Sequence, residues 1–395
     1  MIKNKKITLA ITGGIAAYKT PILVRRLKEK GADVQVVMTE NAKNFVTPLA
    51  LETVSNNKVI DSLFNKGDNI KVEHIDIADK SDIIIIAPAT ANIIGKIANG
   101  IGDDFLTSML LAYTGKLLIV PAMNLNMYAN PIVQKNMNFL NSFDNISFME
   151  ADTGELACGY SGKGRMPDPH LIVKETEYLL SPKTLKNKKI LITAGATREY
   201  IDPVRFISNP STGKMGYALS KQAALLGADV TLLTHKGCLE LPYRINRVEY
   251  FDDVDSLKNL INELINHYDL IIMAAAVGDI KIKKYNKEKT KKTKNSWDFE
   301  FTTTTDILKS IKDKKIFKIG FAAESNNHKE NAISKLNKKS LDMMVLNDIS
   351  RKDIGFQSDF NQITIFSKNN TKKFDKLTKE ETAQRILEEY QTMCL

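Results

Sequence analysis

Cysteine is scarce in this chain: only Cys158, Cys238 and Cys394, none in a CxxC spacing. An odd, scattered set excludes a disulfide scaffold, offers no zinc-ligand pattern and fits a reducing cytoplasm. Histidine is nearly as sparse. His74, His170, His235, His267 and His328 form no HxH or HxxxH pair, so the sequence offers no transition-metal centre. Long hydrophobic runs are also missing. Apolar stretches such as residues 83–87 and 117–120 are strand-sized, far short of the ~18 residues that cross a membrane. The opening MIKNKKITLAITGG is basic, then briefly apolar, then glycine-rich; it reads as a first β-strand rather than a secretory signal. Aromatics do not interleave with the basic runs, and no helix-turn-helix, zinc-finger or RNP-type pattern occurs, which argues against nucleic-acid binding.

What remains is an ordinary globular composition, 43% hydrophobic and 26% charged. The 395 residues suffice for about two or three domains. A net charge of +10 favours anionic ligands such as nucleotides and phosphorylated metabolites, or equally describes a lysine-rich solvated surface.

The two halves begin alike. KKITLAIT precedes Gly13-Gly14, and KKILIT precedes Ala194-Gly195. Each half continues into a helical stretch that ends in Gly-Ala-Asp-Val and runs into an apolar strand. Later apolar runs at 83–87 and 117–121 have counterparts at 270–274 and 317–321. Alternating strands and helices predict parallel sheets covered on both faces, that is, two doubly wound α/β domains. The polar stretch 180–188, with Pro182, sets the expected boundary: domains 1–182 and 183–395. The lysine-dense stretch 281–296 reads as an exposed flexible loop. Ligands of doubly wound sheets bind beyond the carboxyl ends of the strands, and the motifs follow Ile11, Ile86, Val120, Ile192, Met273 and Gly320.

In the first half, Thr12-Gly13-Gly14 after the first strand can admit a phosphate or simply turn the chain; it does not meet GxGxxG. Thr90 and Asn92 in APATAN can cap a helix or face a ligand. PAMNLNM offers Met123 and Asn124, whose amide can hold a carboxylate without adding charge. A lone His74 is more often structural than catalytic. The glycine-rich ACGYSGKGRM, which carries Cys158, reads as a flap. In the second half, Ser211 to Gly213 can cap a helix or seat a phosphate, but the spacing is not a Walker A motif. Asp279 ends a buried strand and can orient a ribose or Mg2+. The lysines around Lys289 can reach a triphosphate, Phe321 can pack on a base, and Lys335 and Lys339, one helical turn apart, can face one anion.

Taken together, TGGIAAYKTP, VVMTE, APATANIIGKIANGIGDD, PAMNLNMY, ACGYSGKGRM, DPVRFISNPSTGKMG and GFAAE resemble the bifunctional phosphopantothenoylcysteine decarboxylase / phosphopantothenate–cysteine ligase family of coenzyme A biosynthesis, in the family's order over nearly the whole chain. The resemblance implies a flavodoxin-like flavoprotein domain followed by a Rossmann-like ligase domain. It implies FMN beside Thr12, Gly13, Gly14, Thr39, Thr90, Asn92 and Met123, and catalytic roles for His74, Asn124 and Cys158. Asn124 would hold the substrate carboxylate, His74 assist thiol deprotonation, and Cys158 return a proton. Oxidising the cysteinyl thiol to a thioaldehyde gives the electrons of the departing carboxylate a place to go, leaving an enethiolate. In the second domain the resemblance implies CTP and Mg2+. 4'-Phosphopantothenate would be activated as an acyl-cytidylate and L-cysteine would displace CMP, with Arg205, Asn209, Ala275 and Lys289 at the acyl-cytidylate. Asp279, Lys289, Phe321, Lys335 and Lys339 would serve CTP, and Asp279 the metal. It further implies a cytoplasmic homo-oligomer with trimeric flavin domains and dimeric ligase domains, combining into a dodecamer.

The sequence departs from the family pattern in places. Tyr128 stands for a common Trp, Ala196 for Pro, Gly278 for Ala or Ser, and Pro210-Ser211-Thr212 differs from the commoner Ser-Ser sequence. Thr304-Thr305-Asp306-Ile307 replaces Asn-Pro-Asp-Ile in a nucleotide-contacting turn. Competing readings are an enzyme that keeps one of the two activities, and an FMN-binding regulatory or interaction module. The second predicts loss of His74, Asn124 or Cys158, all of which are present.

Overall fold

The computed structural model describes residues 2–63, 73–155, 161–237, 239–291, 299–311, 315–324, 328–348, 358–367 and 370–394. It divides into two compact units, Met1–Ser181 and Pro182–Leu395.

The first unit is built on strands β1 (Lys6–Ile11), β2 (Asp33–Met38), β3 (Ile83–Ala89), β4 (Lys116–Pro121) and β5 (Ile146–Phe148). They pair in parallel in the order β2-β1-β3-β4-β5, the flavodoxin-like doubly wound order. Alternation along each strand serves two cores. Ile83, Ile85 and Ala87 join Leu9, Ile11 and Leu118 on one face, while Ile84, Ile86 and Ala89 join Ala10, Leu117 and Ile119 on the other. This explains why β3 reads as an unbroken apolar run: both sides of it are interior. A hairpin, β6 (Asp152–Glu155) with β7 (Ser161–Arg165), stands outside this sheet.

The second unit adds β8 (Lys189–Thr193), the ribbon β9 (Arg198–Tyr200) with β10 (Phe206–Ser208), β11 (Asp229–Thr234), β12 (Arg247–Tyr250), β13 (Leu270–Met273), the ribbon β14 (Ile280–Ile282) with β15 (Phe301–Thr303), β16 (Phe317–Glu324), β17 (Met343–Asp348), the short β18 (Phe360–Asn361), β19 (Ile363–Ser367) and β20 (Thr371–Lys373). Its main sheet runs β12-β11-β8-β13-β16-β17-β19-β20. The first six strands are parallel, which reproduces the Rossmann order 3-2-1-4-5-6; the last two are antiparallel additions. Two cores again flank the sheet, one containing Ile190, Ile192, Leu232 and Ile272, the other Leu191, Leu233, Ile271 and Met273. The expected fold class holds in both units. After the first helix of each unit, Gly31 (φ 84°) and Gly227 (φ 89°) make the left-handed step back into the sheet.

Two expectations are corrected. The stretch 281–296, expected as an exposed flexible loop, begins as a strand and continues to residue 291 as an irregular, largely exposed segment tied down at a few points; residues 292–296 lie outside the described residues. Ile280–Ile282 pairs with Phe301–Thr303, the ladder continues through Lys283 N–H to Glu300 O (2.9 Å), and Asn286 N–H reaches Ile201 O (3.1 Å). The alternating Ile280 and Ile282 explain the strand, which the surrounding lysines mask. The strand expected at 317–321 runs further, through the whole of GFAAE, because pairing with β17 carries β16 on to Glu324. Among the described residues no helix is long and apolar enough to cross a membrane.

The helix Lys214–Leu225 is held tightly to the end of β8. A Cβ on Gly216 would stand 2.5 Å from Ala194 Cβ and 2.8 Å from Thr193 O. Backbone cannot yield as a flexible side chain does. Gly216→Ala is therefore expected to destabilise this unit by about 1–3 kcal/mol, read as a lowered denaturation midpoint; an unchanged midpoint would show that the helix can shift freely.

Candidate functional sites

In the first unit, the switch point lies between β1 and β3, where the crossovers diverge to opposite sides. Thr12 bridges it. Its hydroxyl donates to Pro88 O (2.6 Å), accepts from Thr90 N–H (3.2 Å) and lies 3.5 Å from the Thr90 hydroxyl. The turn closes through Gly14 N–H to Thr12 O and Ala17 N–H to Gly14 O, both 2.9 Å. Thr39 N–H returns to Ile11 O (3.0 Å), and a Cβ on Gly13 would stand 2.5 Å from Asn41 Cβ, so the turns after β1 and β2 abut. Thr90 also caps the helix Ala91–Ala98 by accepting from Ile93 N–H, with Asn92 exposed in its first turn. Thr12, Gly13, Gly14, Thr39 and Thr90 thus converge on one crevice, a setting with small side chains and main-chain donors that suits a phosphate-bearing planar cofactor.

Asn124 caps the short helix Leu125–Ala129, its Oδ1 accepting from Asn126 N–H at 2.8 Å. The turn that carries it is fastened to the flap hairpin. Met123 N–H donates to Gly164 O (2.9 Å), and the Leu125 methyls lie 2.8 Å from where a Cβ on Gly162 would sit. PAMNLNM and the Ser161–Arg165 strand of the flap are therefore one physical assembly, joined at Gly162 and Gly164. Lys19, from the helix after Thr12, donates to Met166 O (3.1 Å) and secures the other end of the flap strand. His74 sits half-buried on the helix Glu73–Lys80, edge-on to Phe105 with ring centroids 6.2 Å apart. Cys158 lies outside the described residues.

In the second unit, a cavity of about 620 Å³ opens at the carboxyl ends of β13 and β16. Asn209, Ala275, Asp279, Thr304, Thr305, Asp306, Ile307, Phe321, Lys335 and Lys339 all line it. Arg205 and Lys289 do not. Thr193, at the end of β8, accepts from Ala275 N–H (3.0 Å), repeating what Thr12 does in the first unit. Asn209 donates to Val277 O (3.2 Å). The sequence departures meet one another: the Thr304 hydroxyl donates to Gly278 O (2.6 Å), and Thr304 N–H reaches Asp279 O (3.1 Å). Thr304 thereby ties its turn to the one that bears Asp279. Asp306 caps the next helix through Oδ1 and pairs with Lys339 through Oδ2 at 3.1 Å.

Sequence reasoning missed Asn347, Asn361, Lys214 and Lys379, which also line the cavity. Asn347 Oδ1 is buried with no hydrogen-bond partner among the described residues, an acceptor turned to a cavity that a ligand donor would satisfy. Lys379, 7% exposed, donates to Asn361 Oδ1 at 3.0 Å. Burial, then the nearby charge of Lys214, push its pKa down to about 8, against the opposing pull of Asp359. Asn347, Asn361 and Lys379 carry no sequence signal, because they come from β17, β18 and the last helix (Lys379–Cys394), far along the chain from the motifs, whereas Lys214 lies within PSTGKMG and was not singled out there.

Residues 1–181 match the flavoprotein family profile, and residues 185–393 match the DNA/pantothenate metabolism flavoprotein C-terminal domain. The coenzyme A biosynthesis bifunctional protein CoaBC of Bacillus subtilis is 42% identical over 378 residues, 94% of this chain and 93% of that protein. This chain belongs to the bifunctional coenzyme A biosynthesis family. CoaBC of Vibrio vulnificus is 41% identical over 99% of this chain and 98% of its own, and that of Escherichia coli 39% identical over 99% and 98%. In family terms, the flavoprotein half holds the β1/β3 crevice with its flap, and the ligase half holds the cavity.

Two outcomes test this geometry. In Gly164→Ala a new methyl would stand 2.4 Å from Met123 O, so decarboxylation should fall at least about tenfold as the flap is displaced, with ligation unchanged; undiminished decarboxylation would show that the flap does not need this seat. For Lys379, the folded protein holds its proton less tightly than the unfolded chain. The unfolded state therefore binds more protons between pH about 8 and 10.5, and the contribution to stability rises with pH across that window. Thermal melting of the ligase half should show wild type gaining on Lys379→Met there, whereas parallel curves would mean the lysine titrates normally.

Proposed function

We propose that residues 1–182 carry an FMN-dependent decarboxylation and residues 183–395 a CTP-dependent ligation, run in the order ligation then decarboxylation. L-Cysteine is joined to 4'-phosphopantothenate, and the resulting 4'-phosphopantothenoylcysteine loses CO2 to give 4'-phosphopantetheine. The observation that carries the reading is the convergence of motifs from distant parts of the chain on two sites, each beyond the carboxyl ends of a parallel sheet.

In the decarboxylase half, the crevice of Thr12, Gly13, Gly14, Thr39 and Thr90 fits FMN, with Asn92 and Met123 at its margins. FMN, when bound, supplies the two-electron oxidation of the substrate thiol and the later return of those electrons. The chain supplies the rest. The Asn124 amide holds the carboxylate, its Oδ1 fixed by the Asn126 N–H so that the NH2 group is oriented. His74 takes the thiol proton, and Cys158 on the flap returns one.

In the ligase half, the carboxylate of 4'-phosphopantothenate attacks the α-phosphate of CTP, releasing pyrophosphate. The cysteine amine then displaces CMP. Phe321 stacks on the base, Lys335 and Lys339 face the phosphates, and the orphan Asn347 Oδ1 accepts a nucleotide N–H or O–H. Among the described residues no cluster of three acidic, His or Cys side chains could hold a metal by itself. That favours Mg2+ carried mainly on the phosphates, with Asp279 as its protein ligand. Asn209 and Ala275 line the cavity where the acyl-cytidylate forms, and Thr304 to Ile307 form its nucleotide-facing turn. Arg205 and Lys289 lie away from the cavity of their own chain, and exposed Val204, Phe206, Ile280, Tyr285 and Phe301 crowd the same ribbons. Both features favour paired ligase domains within a homo-oligomer of trimeric flavin domains, up to a dodecamer.

The test is one reaction tube containing purified protein, 4'-phosphopantothenate, L-cysteine, CTP and Mg2+, read by mass spectrometry. CTP-dependent 4'-phosphopantetheine is the expected product. In Asn209→Ala no 4'-phosphopantothenoylcysteine should form, yet the intermediate, when supplied, should still be decarboxylated. His74→Ala should accumulate the intermediate. Retained ligation in the first variant or retained decarboxylation in the second would overturn those roles.

A further inference from the structure

Arg205 and Lys289 are far apart in sequence and absent from the cavity, yet one carboxylate connects their segments. Asp202 is fully buried. Its Oδ1 accepts from the N–H groups of Val204 and Arg205, both at 2.9 Å. Its Oδ2 accepts from Arg205 Nη1 at 2.9 Å and from Thr290 N–H at 3.1 Å, 88 residues along the chain. Arg205 Nη1 also donates to Thr290 O (3.1 Å). The bundle is closed by Ile201 N–H to Arg205 O (2.8 Å), Asn286 N–H to Ile201 O (3.1 Å) and the Asn286 amide to the Thr290 hydroxyl (3.2 Å).

A buried carboxylate is tolerable only when its lone pairs are used, and here four donors use them. Burial alone would raise the Asp202 pKa. The backbone N–H bonds from Val204, Thr290 and Arg205, together with the Arg205 charge, hold it at about 2 instead, so the group stays charged at any working pH. None of this is needed to form the β9–β10 ribbon, whose ladder is complete without Asp202. Its effect is to lock the turn between β9 and β10 to the segment that follows β14.

We infer that Asp202 is a positioning residue of the ligase: its carboxylate fastens the turn bearing Arg205 to the segment bearing Lys289, presenting the two cations to the phosphorylated carboxylate substrate as one clamp. This rests on reading Arg205 and Lys289 as substrate-binding. An asparagine at 202 would keep the size and the Oδ1 bonds, but its NH2 group would face two donors, Arg205 Nη1 and Thr290 N–H. The clamp would then open from the Thr290 side.

The experiment compares Asp202→Asn, Arg205→Ala and Lys289→Ala in the full-length protein, assaying ligation and decarboxylation separately. In Asp202→Asn the KM for 4'-phosphopantothenate should rise at least about tenfold, with the KM for CTP within about twofold and decarboxylation of supplied intermediate unchanged. If Arg205→Ala and Lys289→Ala raise that KM but Asp202→Asn does not, the positioning role is overturned and the site reading survives. If neither alanine variant changes it, the site reading itself falls. A second measurement uses the unaltered protein and so does not depend on the variant folding. In hydrogen exchange, the Thr290 amide should exchange at least about 100-fold slower than a free amide. Exchange at the free rate would overturn the lock.

Discussion

A parallel strand covered by helices on both faces has no solvent side, so its polar chemistry is driven to its ends. That constraint organises both halves of this chain. β3 in the first unit and β13 in the second are interior along their length, and the ligand-facing groups gather where they stop. At both switch points a threonine that ends or follows the first strand accepts an N–H from the turn beyond a neighbouring strand: Thr12 from Thr90, and Thr193 from Ala275. A hydroxyl there takes over from the ladder just as the strands diverge, holding open a crevice of defined width.

This device also explains what the sequence could and could not reveal. The apolar runs, the glycine steps before β2 and β11 and the repeated opening KKI…IT sufficed for two doubly wound domains. The strand orders 2-1-3-4-5 and 3-2-1-4-5-6 are global properties that no local pattern encodes, yet they decide which loops meet. The turns bearing Thr12, Thr90 and Asn124 were legible because they come directly after β1, β3 and β4. The strand expected at 317–321 was ended three residues early, since pairing with β17 extends β16 past its apolar run to Glu324. The ribbon at 280–282 was hidden by the lysines around it.

The ligase cavity shows the deeper limit. Lys379 and Asn361 look like surface residues in the sequence. They become cavity groups because the last helix packs beside the helix that begins at Lys214, with Asn361 Nδ2 against Met215 Sδ at 3.2 Å. Asp202 was passed over for the opposite reason. It lies inside a recognisable motif, but its importance comes from a partner 88 residues away. The departures at Gly278 and Thr304 looked like separate oddities and are one contact. A substitution pattern that weakens a site on paper can be a single rearranged hydrogen bond in space.

The carboxylate of Asp306 shows how such a cavity can admit an anion without disturbing its own walls. One oxygen holds a helix amide and the other holds Lys339. The two duties fall on different atoms, so a phosphate that draws the lysine away releases an ion pair and leaves the helix start capped. Meanwhile the ion pair keeps the Lys339 ammonium at the cavity wall, where fewer of its conformations remain to be lost when a ligand arrives. The wall is thus both rigid and exchangeable, with the boundary between the two running through a single side chain.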